Sequence, residues 1–391
     1  MIAVIADDIT GAAEIAGVCL RWGIPVSFSL DASPASGAEV MVIATDTRSM
    51  AEAEALKETD RIASMLMDMG ITWIFKKSDS VMRGHVSKEL KVLAKRLHKE
   101  KMLLVPANPY TGRSISDGIY YVKGRPLNET SFKDDPTFPA FSANVKDLLR
   151  EDELSVAYGR FSEEGDLQQG FNIPDSQTMQ DLYTWASLMD NSVLPAGSAA
   201  FFEMCLKRNF PEWMRGQEPD PLSFVGNSLM IAGSSHQNSK DFVEKAVEKG
   251  VHLSEMPELL IEEEYNPAGT EAWVHDVGRG LLEGNRVIMA YGKKKASFKN
   301  YPAILKKRTA QAVARVIEEV PVRELLLEGG ATTCAVIEEL SLGALIPMQE
   351  LSPGVVRLKA VDHDMVLTIK PGSYAWPEAV YRYFELEKPV V

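Results

Sequence analysis

The chain has 391 residues, of which 45% are hydrophobic and 25% are charged. This balance is typical of a globular protein with two or three domains, and it excludes a disordered, collagen-like or coiled-coil chain. Lys and Arg number 42 and Asp and Glu 55, so the net charge is −13. Because the chain is acidic and has no basic run, we expect neither nucleic acid nor a membrane surface among its partners.

The cysteines and the N-terminus indicate a cytoplasmic protein. Cys19, Cys205 and Cys334 are far apart and odd in number, so no disulfide framework is expected, which suits a reducing compartment. Asp7 and Asp8 end the first apolar run too early for a signal peptide. No stretch approaches about 18 consecutive apolar residues, the length that predicts a transmembrane helix.

The first half of the chain alternates short apolar runs with helical patterns. Buried strands are predicted at MIAVIA, PVSFSL, EVMVIAT, ITWIFK and MLLVPA. Apolar residues at helical spacing predict helices over Ala12–Arg21, Ala51–Met69 and Val86–Lys99. Strands that alternate with helices predict βαβ units and a largely parallel sheet.

The second half repeats this rhythm after a polar interruption. The stretch 208–227 is rich in Pro and Gly and is predicted to link two domains, 1–207 and 228–391. Strands are predicted there at SLMIAG, RVIMAYG, ELLLEGG and DMVLTIKPG, and helices over Lys240–Lys249, Leu305–Glu319 and Thr333–Leu340. One more helix, Thr178–Met189, is predicted before the linker, in the first domain. The predicted fold class is therefore α/β, with two domains that each have a largely parallel sheet flanked by helices.

Polar residues follow four of the strands predicted in the first half. The clusters are Asp7-Asp8-Ile9-Thr10-Gly11, Asp46-Thr47-Arg48-Ser49, Lys76-Lys77-Ser78-Asp79-Ser80 with Arg83-Gly84-His85, and Asn108-Pro109 with Gly112-Arg113. Ligands bind at the carboxyl ends of strands in an open parallel sheet, so we expect these clusters to share one edge. Such a pocket suits a small polyhydroxylated acid, because cations hold its carboxylate while Asp and Asn bind its hydroxyl groups.

Turns rich in Gly, Ser and Thr follow three strands of the second half. They are Gly233-Ser234-Ser235, Gly329-Gly330-Ala331-Thr332-Thr333 and Lys370-Pro371-Gly372-Ser373. A turn of this kind before a helix presents backbone N–H groups and the positive end of the helix dipole, which favour phosphate. The sequence has no P-loop motif, and its six His residues show no metal-ligand spacing. The second half is therefore predicted to bind phosphate, and no metal-ligating side chains are assigned.

Several motifs resemble the pattern of the four-carbon acid sugar kinases. In the first 130 residues the matching segments are Ala6–Ala12, Thr47–Ser49, Lys77–Gly84, Pro106–Arg113 and Gly124–Leu127, in the family's order. The second half resembles the family's nucleotide-binding domain at Gly233–His236, Gly329–Thr333, Pro353–Val355 and Lys370–Ala375. Several side chains depart from that pattern; among them, Ala331 stands where the family has Glu, and Pro371 stands where it has Ser.

The resemblance implies an ATP-dependent kinase that phosphorylates the terminal hydroxyl of a four-carbon acid sugar, such as threonate, erythronate or 3-oxo-tetronate. It implies two domains with the active site in the cleft between them. The catalytic candidates are Asp8, first for the group that accepts the hydroxyl proton, and Asp79; their spacing does not separate the two. The substrate-binding candidates are Asp7, Arg48, Lys77, Arg83, Asn108 and Arg113. Their cations would hold the carboxylate or the transferring phosphoryl group, and Asn108 the hydroxyls.

The resemblance assigns the ATP phosphates to turns of the second domain. The candidates are Ser234, Gly329, Gly330, Ala331, Thr332, Gly354 and Gly372. Mg²⁺ is expected to bridge the phosphates, because the developing charge needs a counterion. A homodimer is the expected default for an oligomer.

Two alternatives to a kinase stay open from the sequence. The acid pocket also suits an aldolase or isomerase in which Lys77 forms a Schiff base or transfers a proton. The altered turns of the second half also suit a regulator that binds a sugar acid without catalysis.

Overall fold

A computed structural model describes residues 1–135, 138–150, 156–159, 167–216, 222–234, 236–262, 266–292 and 301–388, with the backbone alone over 156–159. The chain divides into two compact units, Met1–Gln217 and Glu218–Val391. Ser235 and part of the predicted linker, residues 217–221, lie outside the described residues. None of the helices in the described ranges is long and apolar enough to span a bilayer.

The first unit is built on an eight-stranded parallel sheet. The strands of the unit are β1 Ile2–Ala6, β2 Val26–Ser29, β3 Val40–Ala44, β4 Ile74–Lys77, β5 Lys101–Val105, β6 Arg113–Ser116, β7 Ile119–Val122, β8 Arg125–Pro126, β9 Val156–Gly159, β10 Gly170–Pro174 and β11 Val193–Gly197. The large sheet has the order β2-β3-β1-β4-β11-β5-β10-β9, and β6, β7 and β8 form a small antiparallel sheet. The central strands of the large sheet are buried on both faces, which is why they read as continuous apolar runs.

Helices flank this sheet. They are α1 Ile9–Arg21, α2 Glu52–Asp68, α3 Val86–Arg96, α4 Val145–Leu148, α5 Met179–Ser187 and α6 Ala199–Asn209. The apolar stripes of α2 and α3 pack with strand residues such as Ile5 and Ile43 in one core cluster, which also takes in Tyr120 of the small sheet. Helix α1 contacts α6, and α6 contacts α5.

The second unit has a mixed sheet. Its strands are β12 Ser228–Ala232, β13 His252–Glu255, β14 Arg286–Ala290, β15 Glu324–Glu328, β16 Leu345–Ser352, β17 Val355–Ala360 and β18 Val366–Lys370. Its helices are α7 Gln237–Glu248, α8 Pro267–Gly284, α9 Tyr301–Glu319, α10 Gly330–Glu339 and α11 Glu378–Tyr383. Within the order β13-β14-β12-β15-β18-β17-β16, neighbours are parallel from β13 to β18, and β16 and β17 form an antiparallel hairpin.

The predicted fold class is confirmed, with differences at the ends of helices. Helix α1 begins at Ile9 rather than Ala12, because the Asp8 carboxylate caps it by accepting from the N–H of Gly11. Helix α10 begins at Gly330 rather than Thr333. Helix α3 ends at Arg96 rather than Lys99, because His98 takes a left-handed conformation with φ of 52°. The small antiparallel sheet, the strands β9, β10, β11 and β13 and the β16–β17 hairpin were not predicted from the sequence.

Gly197 ends strand β11 at a position where only glycine fits. Its φ is +142°, and an added Cβ would lie 2.1 Å from the carbonyl oxygen of Val105. We expect Gly197→Ala to lower the free energy of unfolding by about 3 kcal/mol or more, because backbone must move. Urea denaturation measures this loss. Gly70→Ala is the control: its φ is +74° but an added Cβ meets nothing within 4 Å, so about 1 kcal/mol is expected. Equal losses in the two variants would contradict the steric argument.

Candidate active site

The carboxyl ends of five strands meet at one edge of the first unit's sheet. The last residue of β1, Ala6, pairs with Ala44 of β3 and with Lys77 of β4. Lys77 pairs in turn with Gly197 of β11, which pairs with Val105 of β5. The residues that follow these strands therefore lie side by side, and this brings together the four polar clusters of the first half.

Arg48 joins three of the predicted carboxylates. Its Nε and Nη2 donate to the two carboxylate oxygens of Asp7, at 2.9 and 3.0 Å. Nη2 also donates to Asp8 Oδ1 at 2.8 Å, and Nη1 lies 3.5 Å from Asp79 Oδ1. One planar guanidinium thus compensates three carboxylates, which a Lys point charge does not do with the same geometry.

The charges of this cluster shift each other's pKa. Burial raises the pKa of Asp7 against the attraction of Arg48. Burial opposes ionisation of Asp8 as well, but Arg48 and Lys77 outweigh it and hold the pKa of Asp8 below its ordinary value. The carboxylates raise the pKa of Arg48 well above its ordinary value despite burial. Asp8 and Arg48 are therefore charged at neutral pH.

Lys77 lies beside this cluster with its side chain buried. Its Nζ donates to the carbonyl of Ser78 at 3.0 Å and lies 3.4 Å from a carboxylate oxygen of Glu14. Burial favours the neutral amine, but Glu14, Asp7 and Asp8 outweigh it and raise the pKa of Lys77. The Lys77 side chain is therefore an ammonium ion at neutral pH.

Gly11 is a site residue without a side chain, in the first turn of α1. An added Cβ would lie 2.8 Å from Asp8 Oδ1 and 3.0 Å from Lys77 Nζ. Glycine here lets the carboxylate and the ammonium approach the helix. Gly11 belongs to the first polar cluster predicted from the sequence, but no role was predicted for it.

Asp79 and Arg83 form a tightly bonded pair. Asp79 Oδ2 accepts from the N–H of Val81 and of Arg83, each at 3.1 Å, and from Arg83 Nε at 3.0 Å. Arg83 Nη2 donates to Asp79 Oδ1 at 2.9 Å, and Nη1 donates to Asp135 at 3.0 Å. Burial opposes ionisation of Asp79, but Arg48 and Arg83 hold its pKa far below the ordinary value. Asp79 therefore fixes the loop after β4 and the direction of Arg83.

Arg113 and Asn108 come from the loop after β5. Backbone groups of the two residues pair with each other, and Arg113 Nη1 donates to the hydroxyl of Ser80. Asn108 Oδ1 and Ser78 Oγ are buried, and neither has a hydrogen-bond partner among the described residues. These two unsatisfied polar atoms lie in the loops at the edge that carries the charged cluster.

The second unit brings its three turns together in the same way. Ala232 of β12 pairs with Glu328 of β15, which pairs with Lys370 of β18. In the turns after these strands, the Ser234 hydroxyl donates to the carbonyl of Gly372 at 2.9 Å. An added Cβ on Gly372 would lie 3.1 Å from Ser234 Oγ and 3.7 Å from Gly329 Cα.

The turn after β15 opens helix α10 without a side-chain cap. Gly329 has φ of +93° and no side chain to make a capping bond, and Gly330, Ala331 and Thr332 form the first helical turn. The first N–H groups of an α-helix have no partner within the helix and attract anions. The Tyr291 hydroxyl, which the sequence analysis missed, lies 3.3 Å from Thr332 Oγ1.

Gly354 lies in the hairpin turn between β16 and β17, with φ of +77°. Val356 pairs with Ile369 in the antiparallel ladder, so this turn lies at the sheet edge where β18 ends. All the described nucleotide candidates are therefore on one edge of the second sheet. Their binding role stays a prediction.

Buried ion pairs lie behind both edges and were missed by the sequence analysis. Lys76 is 2.9 Å from Glu89, and Lys370 is 2.7 Å from Glu328. In the sequence, such a pair is indicated by a charged residue within an otherwise apolar strand. Across the described ranges, no group of three or more His, Cys, Asp or Glu side chains is placed to hold a metal ion.

Comparisons with known proteins agree with this architecture. The chain matches the models of a sugar-binding N-terminal domain over residues 2–204 and a nucleotide-binding C-terminal domain over residues 229–374. The 3-oxo-tetronate kinase of Haemophilus influenzae is 26% identical, over 96% of this chain and 97% of its own. The D-threonate kinase of Bordetella bronchiseptica is 23% identical, over 90% of this chain and 88% of its own.

A solved structure shares the fold. The crystal structure of a Salmonella typhimurium LT2 protein, 20% identical, superposes with a TM-score of 0.77 over 96% of each chain. The order of the two matched domains is the one that the two units show in the structure. The chain belongs to the family of four-carbon acid sugar kinases.

Proposed function

We propose that this protein is an ATP-dependent kinase that phosphorylates the terminal hydroxyl of a four-carbon acid sugar. The observation that carries the proposal is the edge of the first sheet, where Arg48, Lys77 and Arg83 lie among ionised carboxylates and unsatisfied polar atoms. The similarity over almost the whole chain to proteins named 3-oxo-tetronate kinase and D-threonate kinase supports it.

The substrate-binding roles follow from charge and reach. Lys77, Arg83 and Arg113 are cations that hold the carboxylate of the acid or the transferring phosphoryl group. Asn108 binds a substrate hydroxyl with its unsatisfied Oδ1. Arg48 and Asp7 hold the cluster together, because the guanidinium of Arg48 is already shared between carboxylates.

Asp8 is the proposed group that accepts the hydroxyl proton, and Asp79 is not. Both oxygens of Asp79 accept hydrogen bonds, from the side chain and the N–H of Arg83 and from the N–H of Val81. Its side chain is only 6% exposed. Both oxygens of Asp8 also accept hydrogen bonds, from the N–H of Gly11, from Arg48 and from the Thr10 hydroxyl, but its side chain is 14% exposed. The greater exposure of Asp8 favours it as the base. A carboxylate in reach of the substrate is what general base catalysis needs.

The turns of the second unit are the proposed site for the ATP phosphates. Gly372 leaves room beside Ser234 that a Cβ would fill, and the uncapped start of α10 supplies N–H donors. Mg-ATP supplies the phosphoryl group when it is bound, and its Mg²⁺ neutralises charge on the phosphate oxygens. Mg²⁺ is proposed to enter with the nucleotide, because this ion is usually held by substrate phosphates, waters and one or two carboxylates.

The first experiment couples ADP release to NADH oxidation with Mg-ATP and a panel of D- and L-threonate, D- and L-erythronate and their 3-oxo forms. We expect ADP release that depends on one or a few of these acids. Calorimetry with the same acids separates binding from turnover. An acid that binds without any ADP release would overturn the kinase and favour a non-catalytic regulator.

The charge of Lys77 argues against the Schiff-base alternative. A lysine that forms a Schiff base acts as the neutral amine, whereas the carboxylates around Lys77 raise its pKa. Borohydride with substrate is therefore expected to trap no covalent adduct at Lys77. The cytoplasmic location and the homodimer stay predictions from the sequence.

A further inference from the structure

We propose that the buried carboxylate of Glu89 positions Arg48 through the hydroxyl of Thr47. The proposal rests on the proposed function for its catalytic consequence, though its geometry is independent of it. Glu89 Oε1 accepts from Thr47 Oγ1 at 2.6 Å, from Lys76 Nζ at 2.9 Å and from Thr59 Oγ1 at 3.1 Å. The side chains of all four residues are buried. Glu89 thereby joins α3 to α2, to β4 and to the turn that carries Arg48.

The turn at Thr47 is held from both sides. The Thr45 and Thr47 hydroxyls lie 3.0 Å apart, and Thr45 Oγ1 donates to the carbonyl of Ala6 at 2.9 Å. The N–H of Arg48 donates to the carbonyl of Asp7 at 3.1 Å. Asp46, before the turn, has φ of 50°, a left-handed conformation that is uncommon outside glycine. Within the turn, Ser49 Oγ donates to Asp46 Oδ2 at 2.6 Å. Among these contacts, the Thr47–Glu89 bond is the one that joins the turn to α3.

The position of this turn determines which carboxylates the Arg48 guanidinium can contact. This guanidinium satisfies Asp7, Asp8 and Asp79 at 2.8 to 3.5 Å. Charge-assisted hydrogen bonds weaken steeply when their geometry is lost. A small shift of Thr47 therefore changes the contacts of Arg48 with these carboxylates.

Lys76 connects the Glu89 carboxylate to strand β4, which also carries Lys77 of the site. Successive side chains of a strand point to opposite faces, so Lys76 meets Glu89 of α3 while Lys77 meets Glu14 of α1. Lys76 also neutralises Glu89, which keeps the buried carboxylate compensated when one hydroxyl is removed. Glu89 contacts Arg48 only through Thr47 in this arrangement, so it is a positioning residue and not a catalytic one.

Thr47→Val tests the proposal, with Thr59→Val as its matched control. Each substitution removes one hydroxyl bonded to the same oxygen of Glu89 and conserves the β-branched shape. Thr59 lies on α2, away from Arg48, and its single hydroxyl hydrogen is shared between Glu89 Oε1 and the nearer carbonyl oxygen of Ala55, at 2.8 Å. We expect both variants to lose similar thermal stability. Thr47→Val should lower kcat/KM about tenfold, whereas Thr59→Val should stay within about twofold of the wild type.

A readout without ligand keeps the proposal independent of the proposed function. The Arg48 Nε–H resonance, identified by its loss in Arg48→Lys, should shift or exchange faster with water in Thr47→Val and stay unchanged in Thr59→Val. That result supports the proposal even if the wild type releases no ADP with any acid. Equal changes of the resonance in both variants, or none in Thr47→Val, would overturn it and leave Glu89 a residue of the fold alone.

Discussion

Arg48→Met is expected to lower kcat/KM by about 10³-fold and to destabilise the protein by about 3–5 kcal/mol at neutral pH. The substitution removes the guanidinium that joins Asp7, Asp8 and Asp79 and leaves a thioether of comparable length. The carboxylates then repel one another in a buried site. Both the orientation of Asp8 and the stability of the first unit depend on that compensation.

The loss of stability in Arg48→Met should shrink as the pH falls. In the wild type, Asp8 and Asp79 have lowered pKa values, so their contribution is present above about pH 4 and is lost as the pH falls through their folded pKa. Because the pKa of Asp7 is raised, its contribution to stability is present at low pH and is lost as the pH rises. Without Arg48, burial raises the pKa of Asp7 further and that of Asp8 as well, so the folded variant binds protons more readily than the unfolded chain. Its stability therefore falls as the pH rises.

Urea denaturation of wild type and variant at pH 7 and pH 5 measures this difference. Arg61→Met is the control, because Arg61 pairs with Asp31 and Glu58 at the surface with its side chain 45% exposed. A loss of at most about 1 kcal/mol is expected there. If Arg48→Met loses the same free energy of unfolding at the two pH values, then the ionisation of these carboxylates does not depend on Arg48.

The strands and the edge could be predicted because both follow from local patterns. Apolar runs such as the one that ends at Ala6 identify buried parallel strands, and topology then places the residues after each strand at one edge. Start points of helices were harder to predict. The pattern of apolar residues shows where a helix packs, whereas the Asp8 cap and the uncapped Gly329 turn decide where it begins.

The division of labour among the charged residues could not be predicted from spacing. Asp8 and Asp79 each follow a strand and lie near an Arg in the sequence or in space. The sequence pattern therefore does not distinguish their roles. The structure separates them through long-range partners, since Arg48 is 40 residues from Asp8 and Glu89 is 42 residues from Thr47. Pairings of that kind depend on how the strands are ordered in the sheet, which the sequence of a single chain does not state.

Asp8→Asn is expected to lower kcat by about 10³-fold while the acid still binds. The amide conserves the shape of the side chain and its cap on Gly11 but accepts no proton from the substrate hydroxyl. Removal of one negative charge beside an anionic substrate should leave its dissociation constant unchanged or lower. Because the pKa of Asp8 is lowered, wild-type kcat/KM should show no loss from protonation of this base between pH 5 and 8.

Asp79→Asn should produce the opposite pattern and so decides between the two carboxylates. It releases Arg83, which Asp79 holds through Nε and Nη2, so calorimetry should show acid binding weakened about tenfold. The unfolding free energy should fall by about 2–3 kcal/mol, because the buried loop loses charge-assisted bonds, and kcat should fall less than in Asp8→Asn. If kcat falls further in Asp79→Asn while Asp8→Asn retains turnover, then Asp79 is the base and Asp8 is the residue that holds Arg48 and caps α1.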